Sequence, residues 1–495
     1  MKDKPNVIYV LADDMGYGDV SALNENAGFK TPCLDEMCRE GLAFQDAHAT
    51  SALCTPSRYG ILTGRYSWRS ELKRSVLSGF APALIENDIM TVGDLFHQKG
   101  YKTIAIGKWH LGMDFSTDET FKILPELEAS PGVNYGGPIK NAPVTRGFDY
   151  FYGICASLDM PPYVYVENDH FTQAPNRDTA GIGKPHPAAC PGFWRKGPTA
   201  PDFVHEDVLP QFTRRVLNSI EENAGNPFFL YFPLPAPHAP MLPTGKFQGA
   251  SGINEYCDSV IMCDDIIGQI NGKLKALGLY EDTILIFASD NGCSPVANYP
   301  QMQARGHNPS YVFRGTKADI YEGGHRIPLM VRWPRHISGG GVCKETVSLG
   351  DFMATMADIL DVKLPPEAGV DSISNLPLWQ ESAGPAVRED LIHQSADGSL
   401  SIRKGRFKLE MCPGSGGWSY PAPGEETSDM PRFQLYDLET DIGEKINLVE
   451  QHPAIAEGLK KILAGHIRRG RSTPGSPQQN RGEAIWDTIR WLEEC

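Results

Sequence analysis

The sequence predicts an α/β fold: a large mixed, mostly parallel sheet flanked by helices, with a smaller C-terminal α+β domain containing an antiparallel sheet. Three observations predict it. The first part of the 495-residue chain alternates short β-branched or aromatic runs with helical stretches, the pattern of parallel strands joined by crossover helices. Four of those runs end in polar residues that a strand interior would not hold. From about residue 385 the texture changes to strand-like stretches separated by turns, then one amphipathic helix. The length suits one large core and one smaller one, divided here as 1–384 and 385–495.

The four runs come in order. NVIYVLADD ends in Asp13 and Asp14, KTIAIGKWH in Lys108 and His110, PFFLYFPLPAPH near His238, and TILIFASDNG in Asp290 and Asn291. Ligand sites of open α/β sheets form just beyond the carboxyl ends of strands, so these residues are expected along one edge. Helices are predicted over 57–64, 91–99, 207–223 and 254–277. The last carries Val260, Ile261, Ile266, Ile267, Ile270 and Leu274 at close to helical spacing. RIPLMVRWP reads as another buried strand. Residues 114–205 and 293–315 are rich in Gly, Pro, Asn and aromatics with little periodicity, and loops that long tend to be functional. Beyond the connector SAGPAVRED, SLSIRKGRFKLEM and RFQLYDLETDIGEKINL read as antiparallel strands joined by turns, CPGSGGWSYPAPGEETSD as a loop, and 453–468 as a helix.

Lys and Arg number 46 against 61 Asp and Glu, a net charge of −15. Without a broad basic surface a nucleic-acid partner is disfavoured, although a local cationic cluster can still draw in a small anion. No apolar run is long enough to span a bilayer, so no membrane partner is expected. The N-terminal run from Val7 to Ala12 is too short for a signal peptide. The chain is therefore expected to be soluble, made without export or trimmed of an export segment. Eleven scattered cysteines without CxxC pairs argue against a zinc cage or a dense disulfide framework, and most read as buried or free thiols.

Cys54 stands apart, between a polar loop and a helix start in HATSALCTPSRYGILTGR. From the residues alone it reads either as a buried thiol or as a thiolate nucleophile, its pKa lowered by the helix N-terminus and Arg58. A third reading comes from resemblance. CTPSRYGILTGR resembles the signature of the type I, formylglycine-dependent sulfatases of the alkaline phosphatase superfamily, with Cys54, Pro56 and Arg58 followed by Leu62, Thr63, Gly64 and Arg65. NVIYVLADDMGYGD, GYKTIAIGKWHLG, PHAP, SDNG and GTKADIYEGGHRIP resemble further family blocks, in the family's order, over residues 5–330. LYDLETDIGEKINL resembles part of the family's C-terminal domain. The resemblance implies a sulfuric ester hydrolase in which a separate formylglycine-generating maturation enzyme oxidises Cys54 to formylglycine. One hydroxyl of the hydrated aldehyde attacks sulfur, and the other expels sulfate by re-forming the carbonyl.

Asp13, Asp14, Asp290 and Asn291 offer only oxygen donors, which suits a hard cation rather than zinc. The resemblance favours Ca2+, with Mg2+ the alternative. Arg58, Lys108 and Lys317 are fixed positive charges suited to sulfate oxygens, and His110 and His238 are candidate proton handlers. By resemblance, Arg58 supports the formylglycine, Lys108 and Lys317 contact the ester, and His110 hydrogen-bonds the gem-diol. His238 with Lys317 would protonate the leaving alcohol, and Asp290 would also accept the nucleophile's proton. Ser157 loosely matches a sulfate-contacting serine of some relatives, whereas His325 and Arg326 read as structural.

Asp159, Tyr163, Tyr165, His170, Trp194, His205, His307 and Arg314 lie in the aperiodic stretches, where such side chains either line a sugar pocket or pack loops. His307 and Arg314, just before Lys317, are the candidate pocket residues among them. The expected substrate is a sulfated carbohydrate attacked at its end, or another small sulfate ester. Two rivals stay open: a phosphonate monoester or phosphodiester hydrolase of the same superfamily, and a catalytically silent carbohydrate-binding relative.

Overall fold

A strand covered on both faces is a continuous apolar run, and NVIYVLAD forms such a strand, β1 (Asn6–Asp13), with every residue buried. The computed structural model describes residues 4–123, 130–183 and 191–495. In it β1 is a central strand of a ten-stranded sheet that also contains β2 (Leu42–Phe44), β3 (Lys102–Lys108), β4 (Tyr150–Ile154), β5 (Val166–Glu167) and β6 (His170–Phe171). Its remaining strands are β7 (Phe228–Pro237), β8 (Thr283–Ser289), β9 (Leu329–Arg332) and β10 (Gly341–Cys343). Their order is β10-β2-β9-β8-β1-β7-β3-β4-β5-β6.

The middle of the sheet, β8-β1-β7-β3-β4, is parallel throughout. Val10 pairs with Phe232 on one side and Phe287 on the other, which sets the three strand ends level. β9 runs antiparallel to both β8 and β2, and β5 and β6 add an antiparallel ribbon at the far edge. The sheet is therefore mixed and mostly parallel, in agreement with the sequence.

Helices α1 (Pro32–Glu40) and α4 (Val208–Glu222) both pack on α5 (Glu255–Ala276) in one layer. Helices α2 (Cys54–Thr63), α3 (Val92–Gln98) and α6 (Phe352–Ile359) form another. Helix α2 ends at Gly64, whose φ of 62° and contact with Gly369 leave no room for a side chain. At the end of β3 a Cβ on Gly107 would sit 2.0 Å from the Pro233 carbonyl oxygen, so glycine there lets β3 close on β7 just before Lys108.

A separate antiparallel sheet holds β11 (Asp390–Gln394), β12 (Leu400–Lys404), β13 (Phe407–Glu410) and β14 (Gln434–Asp437). Helix α7 (Pro453–Arg469) packs on β12 and β13. The apolar cluster beneath it takes in Tyr66 and Trp68, which follow helix α2, so the second core is completed by side chains from the N-terminal part.

Three details go beyond or modify the sequence expectations. The stretch 114–205 is not uniformly loop, because Tyr150–Ile154 pairs in parallel with β3 inside the main sheet. RFQLYDLETDIGEKINL supplies one strand, β14, and then turns. Helix α6 was not anticipated: eight residues, Phe352–Ile359, are too few for a clear period. Among the described residues every cysteine is free and no helix is long and apolar enough to cross a membrane; Cys190 lies outside them.

Candidate active site

Four strand ends and one helix start meet at a single point. β1 delivers Asp13 and Asp14, β3 delivers Lys108 and then His110, β7 leads to His238, and β8 leads to Asp290 and Asn291. Asp14 and His110 both have positive φ, 66° and 56°, values that non-glycine residues hold only under local constraint. Here the constraint is visible for Asp14: its N–H donates to Asp290 Oδ1 at 3.2 Å and its carbonyl accepts from the Tyr256 hydroxyl at 3.1 Å.

Cys54 is the first residue of α2 and only 2 % exposed. Its sulfur and one carboxylate oxygen each from Asp13 and Asp290 lie within 4.8 Å of one another. One turn along, Arg58 donates from Nε and Nη2 to Asp290 Oδ2 at 3.1 and 2.7 Å, and from Nη1 to the Lys108 carbonyl at 2.9 Å. Lys108 Nζ donates to Asp13 Oδ2 at 2.5 Å, and Lys317 Nζ lies 2.7 and 2.8 Å from the two oxygens of Asp14. Asn291 donates its amide to Asp14 Oδ1 at 2.7 Å. His238 places Nε2 3.6 Å from Asp14 Oδ2.

Asp13 Oδ1 and Asn291 Oδ1 are buried and have no hydrogen-bond partner. A bare carboxylate oxygen and a bare amide oxygen beside two further carboxylates form an all-oxygen set with unused acceptor capacity, which fits a hard divalent cation. The electrostatics agree. Burial raises the Asp13 carboxyl, but Lys108, His238, Arg58 and Lys317 outweigh it and hold it well below the usual carboxylate range. Burial and the Asp13 charge push Asp290 up to about 6 despite Arg58. A cation at this place would favour the ionised form of both.

Burial raises the Cys54 thiol, with Lys108 and Lys317 opposing, so the unmodified thiol is not an activated thiolate here. Burial, then Lys108 and Arg58, holds His110 well below its ordinary value. Its Nε2 sits 2.9 Å from the Leu77 carbonyl, an acceptor, so Nε2 carries the proton. Nδ1 is then a buried acceptor without a partner.

Beside these residues opens a cavity of about 220 Å³ lined by Asp14, Cys54, His238 and Lys317. Ser157 lines it as well. His307 and Arg314, expected as pocket residues, are not among its lining. His307 is fully buried with Nε2 2.8 Å from Asp19 Oδ1, and Arg314 donates to the Glu444 carbonyl and the Tyr436 hydroxyl over the Tyr321 ring. Internal partners hold both away. Trp194 stacks on His205 at 4.4 Å, and Tyr163 and Tyr165 are buried in the core. His325 stacks on His393, and Arg326 pairs with Glu322 and Asp46.

The cavity wall that sequence reasoning missed includes Ser75, Val76, Met160, Phe193, Arg195 and Trp418. Arg195 pairs with Asp159, 36 residues earlier in the chain, and nothing in an aperiodic stretch announces such a partner. Trp418 comes from the Gly/Pro-rich segment after β13, where a lone tryptophan was the available signal.

A family model described as Sulfatase matches residues 5–362. The N-acetylgalactosamine-6-O-sulfatase of Bacteroides thetaiotaomicron is 32% identical, covering 93% of this chain and 92% of its own. The arylsulfatase of Hemicentrotus pulcherrimus is 30% identical over 82% of this chain and 67% of its own. A solved structure from work on the metabolism of glycosaminoglycans by Bacteroides thetaiotaomicron superposes with a TM-score of 0.79 at 31% identity, covering 94% of this chain and 99% of its own. With the oxygen-donor cluster, the Cys54 helix start and these matches in hand, the chain is placed in the sulfatase family, and its activity is that of a sulfuric ester hydrolase.

Proposed function

We propose that the chain hydrolyses sulfate esters of carbohydrates at a chain end, through a formylglycine made from Cys54 and with Ca2+ held by Asp13, Asp14, Asp290 and Asn291. Sulfatases generally use a divalent metal and a formylglycine. The observation that carries the reading is the position of Cys54, its side chain within 4.8 Å of two carboxylates and open to the cavity. The names of the relatives point to a hexosamine 6-sulfate as the first substrate to test.

Maturation would replace the –CH2SH of Cys54 by –CHO, an oxidation supplied by a separate enzyme, and hydration then gives two hydroxyls on one carbon. The cation, when bound, would lower the pKa of one hydroxyl and offset charge on the sulfate. The chain's own groups do the rest. Asp290 accepts the proton of the attacking hydroxyl of matured residue 54, and that hydroxyl's oxygen forms the new bond to sulfur as the bond from sulfur to the alcohol oxygen breaks. Lys108 and Lys317 face the sulfate oxygens, where charge shifts as the ester bond breaks. His238, with Lys317, gives a proton to the departing alcohol. His110 Nδ1 accepts a hydrogen bond from the second hydroxyl, whose deprotonation re-forms the carbonyl and releases sulfate. An ordinary serine has no second hydroxyl and would stay sulfated. Ser157 completes the set as a hydroxyl donor toward the ester.

The test is mass spectrometry of the Cys54 peptide together with sulfate release. Conversion lowers the peptide mass by about 18 Da relative to the thiol form. Matured protein is expected to release sulfate from N-acetylgalactosamine 6-sulfate, and protein made without the maturation enzyme is not. Turnover by a fully thiol-form sample would contradict the formylglycine.

A further inference from the structure

Away from the reacting centre, the cavity contains a charged pair that is already complete. Asp159 and Arg195 both line it. Arg195 donates from its guanidinium to Asp159 Oδ2, and its backbone N–H donates to the Asp159 carbonyl at 3.0 Å. The Tyr163 hydroxyl, buried behind them, lies 3.0 Å from the Asp159 carbonyl and 2.6 Å from that of Arg195. The guanidinium also stands 5.0 Å from the centre of the Phe193 ring. The pair is thus fixed by backbone and side-chain contacts before any ligand arrives.

The other oxygen of Asp159 is different. Oδ1 is buried and has no hydrogen-bond partner. His238 Nδ1 is 4.0 Å away and lies 2.5 Å from the Ala239 carbonyl. A buried acceptor on the wall of a binding cavity is where a ligand's donor is received.

The charges on the cavity wall then divide into two parts. Lys317 faces Asp14 at the reacting centre, where the sulfate belongs. Among the described lining residues the other fixed positive charge is Arg195, which is neutralised by Asp159, while His238 places Nε2 3.6 Å from Asp14 Oδ2 on the reacting-centre side. The sugar side therefore offers one carboxylate acceptor and apolar surface from Met160 and Phe193, with no uncompensated positive charge among the described residues. A second anionic substituent entering there would lose its hydration next to a carboxylate.

We infer that Asp159 is the specificity-determining residue of the sugar side. Its free oxygen receives a hydroxyl or amide N–H of the sulfated ring, and its pairing with Arg195 selects rings that carry one sulfate and are otherwise neutral. This rests on the sulfated-carbohydrate reading above.

The experiment measures kcat/KM of the matured full chain for release of the 6-sulfate from N-acetylgalactosamine 6-sulfate and from its 4,6-disulfate. The wild type is expected to favour the monosulfate by about tenfold or more, mostly through KM. Asp159→Asn keeps the shape and an acceptor oxygen but frees the Arg195 charge. It is expected to bring the two substrates toward parity by improving the disulfate. Arg195→Gln leaves the carboxylate uncompensated and is expected to widen the preference. A wild type indifferent to the second sulfate overturns the inference, and that comparison needs no variant to fold. Equal losses on both substrates in Asp159→Asn, with the melting temperature retained, overturn it too. Activity on an aryl sulfate but on neither sugar removes the carbohydrate reading and this inference with it; activity on both sugars without discrimination removes the inference alone.

Discussion

Arg58 and Asp290 are 232 residues apart in sequence, yet two nitrogens of one guanidinium converge on a single carboxylate oxygen at 3.1 and 2.7 Å. Both side chains are fully buried. This contact ties the helix that begins with Cys54 to the strand end that supplies an oxygen donor. Removing one partner of a buried pair leaves the other charge uncompensated, which costs about 3–5 kcal/mol. Arg58→Ala is therefore expected to lower stability by that order in urea unfolding and to abolish sulfate release. Arg58→Lys is not expected to restore either, because a point charge cannot reproduce the fork that also holds the Lys108 carbonyl. A lysine variant with wild-type turnover would show that the fork is dispensable.

Cys54→Ala and Cys54→Ser test the nucleophile separately from the fold. The Cys54 side chain is small and faces the cavity, so neither change opens a large void. Both variants are expected to keep the wild-type melting temperature to within a few degrees, to keep their metal affinity, and to lose turnover. Residual multiple turnover by the serine form would mean that a single hydroxyl can release its own sulfate.

The parts of the site that sequence made legible are those where local chemistry conflicts with local structure. Asp13-Asp14 and Asp290-Asn291 end buried apolar strands, where nothing in a strand explains them, and the spacing of Cys54 and Arg58 is one helical turn. β4 was not legible because YFYGI lies in a region without a repeating pattern and acquires its identity only by pairing with β3. His307 and Arg314 precede Lys317, and that adjacency alone points them to the pocket. Their positions are set by Asp19 and by Glu444 and Tyr436, contacts that sequence adjacency does not encode. Arg195, Phe193 and Trp418 reach the cavity from loops whose paths depend on the whole fold.

Metal removal should carry a pH signature. Burial and the neighbouring Asp13 push Asp290 up to about 6 from 3.8 when no cation is present. A carboxyl raised in this way holds its proton more tightly in the folded state. The metal-free protein therefore loses stability as pH rises from 3.8 through about 6. Asp13, held below its ordinary value, acts in the opposite sense but only at pH below 3.8, outside that window. A bound cation favours both carboxylates and removes the loss. The difference in melting temperature between Ca2+-loaded and chelator-treated protein is expected to widen from about pH 4.5 to about pH 6.5. A difference independent of pH would place the cation elsewhere.

The junction between the two sheets gives the last prediction. His48, His325 and His393 are fully buried together, His325 stacked on His393 at 3.8 Å and His48 Nδ1 3.0 Å from His325 Nδ1. Burial lowers all three, and Lys408 adds to it for His325, as do His325 and His48 for His393. Glu322 and Asp46 oppose, and Arg403 reinforces the lowering of His48. A depressed histidine contributes stability that is complete above 6.5 and is lost as pH falls below it, because the unfolded chain takes up the proton first. Each such group adds up to about 1.4 kcal/mol per pH unit to that slope. His393→Phe keeps a ring against His325 and removes one titrating site, leaving the Ser401 hydroxyl without its 3.1 Å partner. The variant is expected to start less stable at neutral pH and to lose stability more slowly in acid, its slope smaller by up to about 1.4 kcal/mol per pH unit in Ca2+-loaded urea unfolding. An unchanged slope would show that acid lability arises away from this junction.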